Sequence, residues 1–189
     1  MLYKLKAFFL KILGDIKVFR YPFFIIYDPT TYFVKGTQTR EAINRLKPGD
    51  IILRKYVAYL DGFLIPGKYS HTGVYVGNNT VIHAVAEGVV KIDIIDFLRC
   101  DGFCILRPRA YQARAIMRVT SWLGQDYDFE FKHGNTKFYC HELGMYAYKE
   151  LSIEPVPVSF MGKTIKWMKP RYLADSFLNS PDFKKIYEY

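Results

Sequence analysis

Cysteine and histidine are scarce in this chain: three cysteines and four histidines in 189 residues. An odd set of thiols (Cys100, Cys104, Cys140) makes no disulfide framework, so a reducing, cytoplasmic setting with free thiols is expected. Cys100 and Cys104 lack a second pair at ligand spacing, so they read as structural, and neither a metal nor an organic cofactor is expected. No run of five basic residues, no zinc-finger spacing and no aromatic-basic RNA motif is present. Nucleic acid is therefore not an expected partner, although 27 basic against 18 acidic side chains leave a net charge of +9. That excess suits an anionic partner such as a lipid surface or an acidic substrate. Repeats and low-complexity tracts are also missing. What is abundant is apolar surface: half the residues are hydrophobic and 17% are aromatic. A single α+β domain spanning residues 1–189 is expected.

The N-terminal segment MLYKLKAFFLKILGDIKVF is interrupted by lysines and lacks a small-residue cleavage site, so it fails as a membrane span and as a signal peptide. Leu2, Leu5, Phe8, Phe9 and Ile12 recur at helical spacing. One reading packs this helix on the core; the other lays it, basic and amphipathic, on an anionic membrane surface as a peripheral attachment. Downstream, YPFFIIYDP reads as a buried extended segment, and Thr39 as the N-cap of a helix REAINRL. The turn Lys47-Pro48-Gly49-Asp50 launches a strand, IILRK. SHTGVYVG and TVIHAV form a hairpin about Gly77-Asn78-Asn79, followed by strands VVKIDI and FCILRP. A helix from Tyr111 to Leu123 stops at Gly124. FYCHELGMYAYKEL reads as a second helix ended by Pro155 and Pro157. The tail from Ser159 reads as irregular, with one short helix near Tyr172 to Phe177.

Cys140 opens that second helix, where unsatisfied backbone N–H groups and the dipole favour a thiolate and an oxyanion. A free cysteine is most often a small buried hydrophobe, so the sulfur alone assigns nothing. His71 starts a strand at a sheet edge, and His83 lies on the returning strand, where one imidazole could orient the other. A hairpin pair without a thiol partner fits the same spacing. His141 neighbours Cys140 but points about 100° away on the helix. His133 falls in a polar loop and reads as solvated, Asp50 as a turn residue, and Glu142 as a first-turn acid.

The strings LKPGDIILR, IPGKYSHTGVYVGNNTVIHAVAEGV, LGQDYDFEF and FYCHEL resemble the NlpC-type superfamily of papain-like cysteine hydrolases. Because the histidines precede the cysteine, the resemblance is to its circularly permuted branch, which holds YiiX/YebB-like proteins and the lecithin:retinol acyltransferase group. It covers roughly Leu46 to Tyr148. It implies a permuted papain-like α+β fold, an antiparallel sheet or half-barrel packed against the cysteine-bearing helix. It further implies Cys140 as nucleophile, His71 as base, His83 as the orienting third residue (with Glu87 or a carbonyl as alternatives), and Tyr127 as an oxyanion-site helper. The expected activity is hydrolysis of a peptide or acyl amide through an acyl-enzyme. The alternatives are a lipid-directed hydrolase or acyltransferase, and a binding module without turnover.

Overall fold

The computed structural model describes residues 2–13, 17–18, 25–26, 32–57, 65–131, 136–160, 163–166 and 168–189. Its centre is a six-stranded antiparallel sheet. In chain order the elements are α1 (Leu2–Leu13), β1 (Lys17–Val18), β2 (Ile25–Ile26), α2 (Gly36–Arg45), β3 (Ile51–Lys55), β4 (His71–Gly77), β5 (Thr80–Val85), β6 (Gly88–Asp93), α3 (Ile94–Phe97), β7 (Gly102–Pro108), α4 (Gln112–Ser121), α5 (Cys140–Ala147), β8 (Ser159–Phe160), β9 (Lys163–Thr164), α6 (Ala174–Leu178) and β10 (Phe183–Glu188). The large sheet runs β10-β7-β3-β4-β5-β6.

Both faces of this sheet are covered, which explains the unbroken apolar run in IILRK. Ile51 and Leu53 pack with Val74, Leu143 and Phe177 on the side of α4, α5 and α6. Ile52 packs with Val81, Phe97 and Phe103 on the other side. The β4–β5 hairpin turns through Asn78 and Asn79, with φ of 48° and 56°. Asparagine tolerates that left-handed region better than most residues, and the pair matches the twist of the flanking strands. At the β3 entrance, Asp50 is buried and takes two hydrogen bonds from Arg107, at 2.9 and 2.8 Å, and one from the Lys47 amide at 2.8 Å. It is a structural turn residue.

Several local expectations need correction. α2 begins at Gly36, and Thr39 lies inside it with its hydroxyl donating back to the Lys35 carbonyl. α5 is shorter than FYCHELGMYAYKEL, running only from Cys140 to Ala147. The tail is not merely irregular, because β10 adds to the sheet against β7. Apart from Ile25–Ile26, the YPFFIIYDP segment lies outside the described residues, as does His133. The middle of the α1 apolar stripe is not packed on the core: Leu5, Phe8 and Phe9 are 54%, 57% and 55% exposed. The helix is instead held by polar contacts from Tyr3 and Lys6.

Candidate active site

Strand register brings the two imidazoles together. Gly73 pairs with His83 across β4 and β5, so His71, two residues away, is a diagonal neighbour on the same face. The rings meet through His71 Nε2 and His83 Nδ1 at 2.8 Å. Glycine at position 73 is what allows this arrangement. A Cβ there would come within 2.5 Å of Val81 and 2.8 Å of the Phe97 ring. Phe97 fills that space and contacts both imidazoles, with centroid separations of 5.8 and 5.5 Å.

Behind the pair lies a residue that the sequence reading passed over. Arg54 faces His71 across β3 and β4 and is only 8% exposed. Its guanidinium sits 4.4 Å from the Phe97 ring centre and donates to the Phe97 carbonyl at 3.0 Å. Its Nε has no hydrogen-bond partner, and among the described residues it forms no ion pair. Burial and then this cation disfavour an imidazolium. The His83 pKa falls to about 3 and that of His71 falls well below its usual value. A single buried arginine within a strand otherwise made of Ile, Leu and Lys was the available signal.

Cys140 opens α5, and its thiol is buried against the segment carrying His71. Its Sγ lies 3.9 Å from the Ser70 carbonyl, and the Thr72 amide also reaches it. The two residues flanking His71 thus both touch the sulfur, while among the described residues its hydrogen bond goes to Ser70 and not to an imidazole. Burial pushes the thiol up to about 11, although the amides of Thr72, His141 and Cys140 pull it the other way. The lowered pKa expected from the helix dipole and an imidazole is therefore not what this geometry gives: the desolvation of a thiol that is 3% exposed outweighs the local dipoles.

The other candidates separate cleanly. Tyr127 is half-buried, with its hydroxyl against the Cys140 backbone amide, and burial drives its pKa far up. His141 turns away from the sulfur, as the helix geometry requires, and its Nδ1 hydrogen-bonds the Thr72 hydroxyl. Burial lowers its pKa to about 3. Glu142 is buried, and burial raises its pKa to about 8. Glu87 lies in the exposed turn between β5 and β6.

Beside Cys140 is a cleft of about 140 Å³. Ile65, Phe131, Val158, Ile165, Met168 and Leu173 make its wall largely apolar, and Tyr127, Cys140 and His141 also line it. Arg171 is the one formally charged lining residue among those described, and it sits over the Phe131 ring at 5.2 Å. No group of three or more His, Cys, Asp or Glu suited to a metal ion occurs among the described residues.

Comparison with known proteins agrees with this architecture. A crystal structure described as the metalloprotein YiiX from Escherichia coli O157:H7 is similar, with a TM-score of 0.62 and 19% identity over 77% of this chain and 98% of that one. At that identity the likeness shows the fold alone. Among curated proteins, none matches the chain significantly. The sequence profile of the permuted papain-like amidase enzymes, YaeF/YiiX type, matches residues 45–187, from the end of α2 through most of β10. The chain therefore belongs to the YaeF/YiiX permuted papain-like amidases, the C92 family.

Proposed function

We propose that the protein is a cysteine amidase in which Cys140 attacks, His71 is the base and His83 orients it. The observation carrying this is the 2.8 Å bond between His71 Nε2 and His83 Nδ1, on the strand whose residues 70 and 72 touch the Cys140 sulfur. If Nε2 of His71 carries the proton and His83 Nδ1 accepts it, His71 Nδ1 is left with a free lone pair, as a base requires.

The resting groups are a neutral thiol and neutral imidazoles. Activation is then by proton transfer during attack, rather than by a standing thiolate–imidazolium pair. The thiol proton passes to His71 Nδ1 as sulfur bonds the carbonyl carbon. The oxyanion is met by backbone amides at 72, 140 and 141, with Tyr127 alongside. The tetrahedral adduct collapses, the C–N bond breaks, and the leaving amine takes the proton from His71. Water, deprotonated by His71, adds to the thioester, and the thiol leaves with that proton.

The largely apolar cleft beside Cys140, with the Arg171 guanidinium in its wall, favours a substrate with an apolar acyl group and a nearby anionic group. This keeps a lipid-linked acyl substrate as the second reading. The test is intact-mass measurement after incubation with N-acyl p-nitroanilides of increasing chain length. An acyl adduct on the wild type, absent from Cys140→Ala and His71→Ala, is expected. Absence of both adduct and p-nitroaniline from a folded wild type across neutral and alkaline pH defeats the proposal.

A further inference from the structure

α1 is fixed to the domain by one side and leaves its apolar side to solvent. The Tyr3 hydroxyl donates to the Tyr127 carbonyl at 2.6 Å, and Lys6 Nζ donates to the Phe129 carbonyl at 2.6 Å. The Tyr3 ring meets Phe129 edge-on at 5.4 Å. These contacts set the rotation of the helix about its axis. At about 100° per residue, Leu5, Phe8 and Phe9 then share the outward face, with Lys4 and Lys6 at its two edges. The three apolar side chains are 54%, 57% and 55% exposed, and α1 carries no acidic residue. Soluble domains rarely present two phenylalanines and a leucine together on one helix without a partner. Lysines bordering such a stripe place their stems on the apolar surface and their ammonium groups toward phosphates.

We propose that α1 docks the protein on an anionic phospholipid surface, with Leu5, Phe8 and Phe9 entering the headgroup boundary and Lys4 meeting a lipid phosphate, while Lys6 stays on the Phe129 carbonyl. The occupant is chosen by charge and size. A stripe edged by exposed Lys4, on a helix without acidic residues in a chain of net charge +9, matches an anionic plane. Twelve helical residues span about 18 Å, too short to cross a bilayer but long enough to lie along one. No helix among the described residues is long and apolar enough to cross a membrane. Because α1 grips the carbonyls of Tyr127 and Phe129, docking holds the segment that places the Tyr127 hydroxyl beside Cys140. The docking itself stands whether or not Cys140 turns over substrate.

The test uses the full chain and vesicles of phosphatidylcholine with and without phosphatidylglycerol, read by co-sedimentation, with light scattering to follow oligomeric state. Wild type is expected to sediment with the anionic vesicles and to come off as salt is raised. The triple variant Leu5→Ser, Phe8→Ser, Phe9→Ser is expected to lose about tenfold or more in partitioning, with unchanged circular dichroism. Lys4→Gln is expected to lose about fivefold. The proposal is overturned if wild type ignores anionic vesicles or if the triple variant binds as well as wild type. It is equally overturned if wild type is a dimer without vesicle affinity and the triple variant a monomer, which would make the stripe a seat for a second copy.

Discussion

Acidification from pH 7 to pH 5 should destabilise this protein. Three imidazoles, half-buried His71 and fully buried His83 and His141, are held neutral in the fold; those of His83 and His141 titrate at about 3 and that of His71 well below its usual value. In the unfolded chain each would take a proton near pH 6.5. A depressed folded pKa contributes stability that is fully present above the unfolded value and lost as pH falls below it. Between pH 7 and pH 5 His83 and His141 then forfeit about 2 kcal/mol each, about 4 kcal/mol together, and His71 adds to the loss in the same direction. Glu142 acts in the opposite direction. Its carboxyl is raised to about 8 by burial, so the fold gains as pH drops through this window, by about 2–3 kcal/mol. His83 and His141 against Glu142 leave a net loss of about 1–2 kcal/mol, which His71 enlarges, against the roughly 5–15 kcal/mol of a typical domain. Urea unfolding followed by circular dichroism at pH 5, 6, 7 and 8 measures it directly. His141→Gln should flatten the dependence by close to one proton. Stability that is level, or rises, from pH 7 to pH 5 refutes the claim that these imidazoles are buried neutral, and with it the assignment of His71 as a free base.

The remaining predictions concern the sulfur, the cation and the glycine. With the Cys140 thiol near about 11, iodoacetamide labelling of that residue should climb about tenfold per pH unit from pH 7 to pH 10. A rate already level at neutral pH reveals a standing thiolate and contradicts the neutral-thiol mechanism. Arg54 and His71 lie 4.4 and 5.8 Å from the centre of one ring, so charge and imidazole are within about 10 Å, where repulsion is worth about 2 kcal/mol at an effective dielectric near 20. Arg54→Met should accordingly move the acidic limb of kcat/KM upward by about one pH unit, while Arg54→Lys leaves it in place. Gly73→Ala should cost about 1–3 kcal/mol in thermal unfolding and lower turnover, because its Cβ meets Val81 at 2.5 Å and Phe97 at 2.8 Å. An alanine variant as stable and active as wild type removes Phe97 from the account.

Local chemistry explains which parts could be read from the residues alone. The hairpin was legible because Asn78 and Asn79 favour the left-handed turn that sets register, and that register makes His71 a diagonal neighbour of His83. The start of α5 at Cys140 was legible less sharply, since the pattern FYCHEL also admits a start two residues earlier. β10 was hidden because FKKIYE alternates poorly; it is recruited by the open edge of β7 and tied by Tyr69 to Glu188 at 2.7 Å. The outward face of α1 was equally hidden, because periodicity gives an apolar stripe but not the direction it faces. The thiol's raised pKa was misjudged for a similar reason: spacing reveals the helix terminus, whereas desolvation depends on how closely β4 approaches it.

The order of elements has a bearing on how the chain emerges during synthesis. The strands carrying His71 and His83 are finished by residue 93, whereas the sulfur is added only at residue 140, as the first residue of α5. A hairpin closed by two residues can form early and locally, long before the helix that must slot against it. The thiol thus arrives after both histidines, when only the β10 edge strand of the large sheet is still to come. A nascent chain stalled before that point would carry the His71–His83 pair without the thiol.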